Sequence, residues 1–206
     1  MLRQGLSRIA ALAAVALVAV SLAGCGVNNI PTYEQAAKAK WADVQSAYQR
    51  RADLIPNLVE TVKGFAAQES KVLVDVVEAR AKATAPQIKL PEGAAPSLDQ
   101  MKQIQGAQNE LSSALGRLLV TVERYPELKS NQNFLQLQSQ LEGTENRIAI
   151  ARRDYIEAVR VYNTELNTIP GRWWKSFMYP AAKEMASFDI PAEEQKTPKV
   201  DFDTKK

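Results

Sequence analysis

The chain has 206 residues and no histidine, so it lacks the usual general base at neutral pH and the commonest metal ligand; neither a His-containing triad nor a Cys/His zinc site can be built from it. A single cysteine excludes an intramolecular disulfide. With 26 Lys and Arg against 23 Asp and Glu, the net charge of +3 lacks the basic excess that marks a nucleic-acid partner.

Residues 1–24 read as an export signal. Arg3 and Arg8 form a positive start, 9–20 is an unbroken apolar run, and Ser21-Leu22-Ala23-Gly24 leads through small residues to Cys25. The 12 apolar residues fall short of the about 20 needed to span a bilayer core, so a retained membrane helix is the weaker alternative. Leu22-Ala23-Gly24-Cys25 resembles the lipobox of bacterial lipoproteins, in which the cysteine is acylated and becomes the first residue after cleavage. An ordinary signal peptide with an incidental cysteine is the other alternative. Each buried methylene contributes about 0.8 kcal/mol and one acyl chain holds only marginally, so the two or three chains of a lipoprotein cysteine, palmitate among them, give lasting attachment to membrane lipid. Cleavage removes Arg3 and Arg8 and takes the net charge from +3 to +1. Residues 25–32 are polar and turn-rich, as a lipidated tether should be.

A helical stripe then runs through Ala37, Trp41, Val44, Tyr48, Arg51, Ile55, Leu58, Val62, Phe65, Glu69, Val72, Val76 and Ala79 in steps of three and four. Its phase survives Pro56, which predicts one helix over 33–82 bent at the proline; two helices meeting at Asp53 is the alternative. Residues 83–96 hold three prolines and a glycine and read as a loop. Ser97 opens the next helix with Gln100 in capping-box spacing, and Leu98, Met101, Ile104, Leu111, Leu115, Leu118 and Val122 form its stripe up to Tyr125-Pro126.

The longest element is predicted over 131–169. Phe134, Leu141, Ile148, Tyr155, Tyr162 and Ile169 recur at every seventh position, and Leu137, Ala151, Ala158, Val159 and Leu166 widen the seam. Such a rod, about 58 Å long, needs partner helices to cover it. After Pro170-Gly171 comes an aromatic group, Trp173, Trp174, Phe177 and Tyr179, interleaved with Arg172 and Lys175. Two roles suit it: a membrane-interface segment, or a short element folding back over the end of the bundle, which Pro180 and the glycine turn favour. Residues 189–206 are charged and poor in apolar side chains, and are expected to be disordered. With no strand-type alternation, the expected fold is all-α: an antiparallel up-and-down bundle of long helices, bent at Pro56, with a short C-terminal capping element, over 33–188.

Polar residues that interrupt the stripes are the candidate site. Arg51, Glu69, Gln108 and Glu145 each place a polar group in a seam, and charge complementarity would pair Arg51 or Arg152 with Glu69 or Glu145. Asp53 and Asn57 cluster at the Pro56 bend, where the proline frees a backbone carbonyl. Such a layer is either a register-setting feature of a bundle or a small-ligand or metal-ion site between helices. No glycine-rich phosphate loop, nucleophile motif or other cofactor signature is present, and catalytic chemistry has no positive feature.

Four segments, Arg50 to Gly64, Tyr125-Pro126-Glu127-Leu128-Lys129, Thr144 to Arg153 and Tyr162-Asn163-Thr164, together resemble the LemA family, across about residues 33–188. The resemblance implies a bundle of long antiparallel helices and carries over no reaction, substrate or catalytic residue. Many members resemble proteins with an N-terminal transmembrane helix; the lipobox at Cys25 departs from that pattern and implies a lipid anchor. Gly26 after the cysteine resembles outer-membrane sorting in bacteria with two membranes. The expected protein is an exported envelope lipoprotein, non-catalytic, serving as a scaffold or interaction module for an envelope protein partner.

Overall fold

A computed structural model describes residues 26–88 and 95–188; the export signal, Cys25, residues 89–94 and the tail 189–206 lie outside the described residues. The described residues are helical with no strand, and the all-α bundle is what they form. In chain order the elements are α1 (Asn29–Phe65), a 3-10 turn (Ala67–Glu69), α2 (Ser70–Ile88), α3 (Leu98–Val122), α4 (Pro126–Lys129), α5 (Gln132–Asn167) and α6 (Gly171–Phe177).

The helix starts follow local chemistry. Ser97 Oγ accepts from the Gln100 amide at 3.3 Å while Gln100 Oε1 accepts from the Ser97 amide at 2.9 Å, the reciprocal cap expected from the spacing. Asn131 Oδ1 accepts from the amides of Asn133 and Phe134 and starts α5. At the N-terminus α1 begins at Asn29, not 33. Pro31 falls in its first turn, where a missing N–H costs nothing, and Ile30 is buried, so only residues 26–28 remain of the expected tether.

Pro56 lies inside α1, which runs on to Phe65, and the break comes ten residues later at Ala66, whose φ of −136° and ψ of 48° leave the helix. One helix over 33–82 and a break at Asp53 are therefore both corrected. The stripe crossed the break because the buried residues after it, Ala66, Leu73, Val76 and Ala79, happen to continue steps near the helical period. Phe65 is exposed and Val72 only half-buried, so these two leave the seam. Glu69 holds the turn in place, accepting from the Tyr125 hydroxyl at 2.8 Å and from Arg124 at 2.9 Å. The expected loop also begins later, since α2 continues through Pro86 to Ile88.

The helices run up, down, up, down. Asn29 with Glu165, Lys40 with Asp154 and Arg51 with Glu145 mark an antiparallel seam between α1 and α5, and Lys82 with Glu110 marks one between α2 and α3. One half of the bundle has four helices around an aliphatic core that includes Ile55, Leu58, Val62, Leu73, Val76, Leu111, Leu118 and Leu128. Beyond it, the N-terminal half of α1 and the C-terminal half of α5 run together, with Met101 and Ile104 from the start of α3 buried against them. The chain after α6 closes this pair, with residues 178–188 running back along α5. Asn163 and Met185 bond reciprocally, side-chain amide to backbone, at 3.0 Å each, and the Tyr155 hydroxyl donates to the Ala186 carbonyl at 2.8 Å. Phe188 packs on Trp41 and edge-on against Tyr155. Phe134, Leu141, Ile148, Tyr155 and Tyr162 are buried at the predicted heptad positions of α5; Ile169 lies past the helix end and is exposed.

The C-terminal element divides the aromatic group. Trp174 and Tyr179 pack on Ile30, Tyr162 and Leu166, as a cap should, whereas Trp173 and Phe177 face outward. Gly171 seats α6 against α5: a Cβ there would lie 2.1 Å from the Glu165 carbonyl oxygen, so no side chain fits.

Candidate functional site

Arg51 lies on the buried face of α1 between Tyr48 and Ile55, only 2% exposed. A guanidinium at such a site is costly unless its donors are matched, and the bundle supplies acceptors from two other helices. One terminal nitrogen donates to Ser112 Oγ of α3 at 3.0 Å and to Glu145 Oε1 of α5. The other donates to Gln108 Oε1 of α3, whose own amide nitrogen donates to the Ala83 carbonyl of α2 at 3.2 Å. All four long helices thus meet in one polar layer. The Tyr48 ring lies 5.8 Å beneath the guanidinium carbon, and burial pushes the Tyr48 hydroxyl above its ordinary pKa. Glu145 is 49% exposed, so one edge of the layer reaches solvent.

Of the predicted polar residues the structure joins Arg51, Gln108 and Glu145 and places the others elsewhere. Glu69 sits at the far end of the four-helix half with Arg124 and Tyr125, and the Tyr125 pKa is raised chiefly by its hydrogen bond to that carboxylate. Asp53 is exposed and accepts from Gln49 at 2.7 Å; Asn57 is exposed and lines a shallow groove between α1 and α5. Arg152 stacks over the Phe188 ring at 4.5 Å and ties down the returning chain.

Three contributors were not among the predicted residues. Ser112 and the Ala83 carbonyl complete the layer. Arg80 solves the problem raised by Pro56: the proline has no N–H to give the Ala52 carbonyl, and Arg80 Nε donates to that oxygen at 2.8 Å from α2. A proline inside a helix announces an orphan carbonyl; nothing local announces which distant donor will reach it.

The layer saturates most of its own capacity. The Arg51 terminal nitrogens, both polar atoms of Gln108, and Ser112 are engaged, leaving only the buried Arg51 Nε without a partner among the described residues. Among those residues no three of His, Cys, Asp and Glu gather as a metal-ligand group.

The fold and this layer define a class: an antiparallel helical bundle pinned at mid-height by a buried arginine and closed at one end by its own C-terminal strap. The chain belongs to the LemA family, whose model matches residues 40–202. It is 29% identical over 178 residues to magnetosome proteins MamQ 1 and MamQ 2 of Paramagnetospirillum magneticum, covering 79% of this chain and 64% of theirs. With MamQ of Magnetospirillum gryphiswaldense it shares 26% identity over 159 residues, covering 69% of this chain and 58% of that protein. The chain therefore spans less than two thirds of the length of the curated relatives it matches, and none of their names states a reaction.

Proposed function

We propose that this LemA-family protein is a lipid-anchored, non-catalytic scaffold of the bacterial envelope, held by acyl chains on Cys25 and offering its helical bundle to an envelope protein partner. The observation that carries the reading is the lack of slack between anchor and body. Cys25, in its lipobox-like setting, stands one residue before Gly26, and α1 begins at Asn29, whose side chain donates to Glu165 of α5 at 3.2 Å. An anchor joined this closely to a rigid bundle fixes where the bundle sits. The polar layer supports the non-catalytic part: the buried Arg51 and Gln108 spend their hydrogen bonds on each other, on Ser112, on Glu145 and on the Ala83 carbonyl.

Intact mass and membrane partitioning of the wild type beside Cys25→Ala test the anchor. The wild type should carry acyl mass and partition with membranes, and the variant should lose the mass and become unprocessed or soluble. Identical mass and partitioning of the two would remove the anchor. Mild crosslinking on intact membranes tests the scaffold role, which falls if no protein partner is recovered from acylated wild type.

A further inference from the structure

The end of the bundle that carries Gly26 also carries the largest exposed apolar side chains of the C-terminal element. Phe177 is 82% exposed, Ile169 63% and Trp173 57%, with Met178 beside them. Trp173 and Phe177 are four residues apart on α6 and so share a face, while Trp174 turns inward to the core. An outward apolar face on a helix whose other face is already seated is not required by the fold. Gly26 adjoins this end: a Cβ on it would lie 3.6 Å from Pro170 Cγ, next in sequence to Ile169.

The chain that precedes Gly26 names the occupant. Cys25 is one residue away, at most about 4 Å along the chain, and before it comes the apolar run 9–20. Acylation of Cys25 or retention of that run would equally bring lipid to this corner. The charges fit as well. Residues 168–178 contain Arg172 and Lys175 and no carboxylate, and neither cation forms an ion pair among the described residues. A short basic helix with tryptophan and phenylalanine on one side is the composition that settles at a bilayer surface, with rings at headgroup depth and cations toward anionic phosphates.

We infer that Ile169, Trp173 and Phe177, flanked by Arg172 and Lys175, form a second membrane contact that lays the anchored end of the bundle onto an anionic bilayer surface. The inference rests on the anchoring proposed above, because a contact this small needs lipid already held beside it. Once the chain is tethered, the patch binds intramolecularly and its weak intrinsic affinity suffices.

The test uses full-length protein reconstituted in vesicles of phosphatidylethanolamine and phosphatidylglycerol with brominated acyl chains, which quench tryptophans lying in the bilayer. Trp41 is sealed in the core and Trp174 packs inward, so wild-type emission should be quenched and Trp173→Phe should lose most of that quenching while keeping the apolar face and the helical melting curve. Phe177→Ser, at a largely exposed site, should fold normally and weaken quenching of Trp173. Unquenched wild type, or equal quenching in Trp173→Phe, overturns the inference. So does a wild-type dimer, unquenched by lipid, that Phe177→Ser separates in sedimentation, since the patch would then serve a second copy of the chain. Acyl mass is read on the same samples. Acylated protein without Trp173-dependent quenching removes this contact and leaves the anchor, whereas quenching without acyl mass removes the anchor and leaves the contact.

Discussion

The two halves of the bundle solve one packing problem by different means. Where four helices meet, Ile55, Leu58, Val62, Leu111 and Leu118 fill most of the interior, helix ridges settle into grooves, and Phe134 is the one fully buried ring in that cluster. In the other half α1 and α5 share their core with Met101 and Ile104 of α3 and with an extended strap, and Trp41, Tyr48, Tyr155 and Phe188 supply its rings. An irregular segment offers no regular ridge and brings unpaired backbone groups with it. Large rings fill the uneven gap, and the Asn163 and Tyr155 side chains answer the backbone of Met185 and Ala186. A helical layer thus satisfies its own hydrogen bonds, while a strap must have them supplied.

The comparison can be broken outright at Ile148, 5% exposed on the helix common to both halves. Ile148→Asp buries an unpaired charge and should cost about 4 kcal/mol or more, with both halves melting in one lowered transition; unchanged melting would show that the two cores do not depend on this seam. Next comes Arg51→Ala, which strips Gln108 and Ser112 of their donor and leaves a void. A loss of about 3 kcal/mol in denaturant unfolding is expected, toward the lower end for a buried pair because half-exposed Glu145 can turn to water.

Asn163→Ala should act on one half alone. Losing both bonds to Met185 costs about 1–2 kcal/mol locally, so trypsin should cut at exposed Lys183 faster than in wild type while the four-helix core keeps its amide-exchange protection. Equal cleavage rates would show that the rings alone hold the strap. The mildest contrast is with pH. Burial raises the pKa values of Tyr48, Tyr155 and Tyr162, so their stabilisation is complete below about pH 10, where unfolded tyrosine begins to ionise, and is lost as pH rises through the higher folded values. Alkali should therefore loosen the strap half, which holds all three rings, followed by tyrosinate absorbance and by cleavage at Lys183.

What the sequence made legible was whatever repeats locally. The heptads of α5 and the Ser97 capping box depend on residues within a few positions of each other; the box stands as expected, and so do the heptads from Phe134 to Tyr162, with Ile169 alone falling outside. Arg51 was recognisable as a charge out of place, and opposite charge offered Glu145 or Glu69 as its partner. Glu69 had equal claim by charge, but it stands 18 residues beyond Arg51, about 27 Å along a helix, and the turn after Ala66 sets it beside Arg124 and Tyr125. Arg80 at the Ala52 carbonyl and Asn163 at Met185 join segments that no spacing rule connects. The division of labour between Trp173 and Trp174 was equally hidden, because adjacent residues on a short helix point apart only once its seat is known.

The continuity of α1 through Pro56 has a consequence for reach. With its first turn at the proposed anchor and 37 residues in one piece, the helix is about 55 Å long, close to twice the thickness of a bilayer's hydrocarbon core. The turn pinned by Glu69 and Tyr125 would stand at that height above the lipid. Set upright, the bundle is a gauge: a partner captured at its tip would be kept at a constant standoff, and lengthening α1 and α5 by matched turns would move that partner outward in steps of about 5.4 Å.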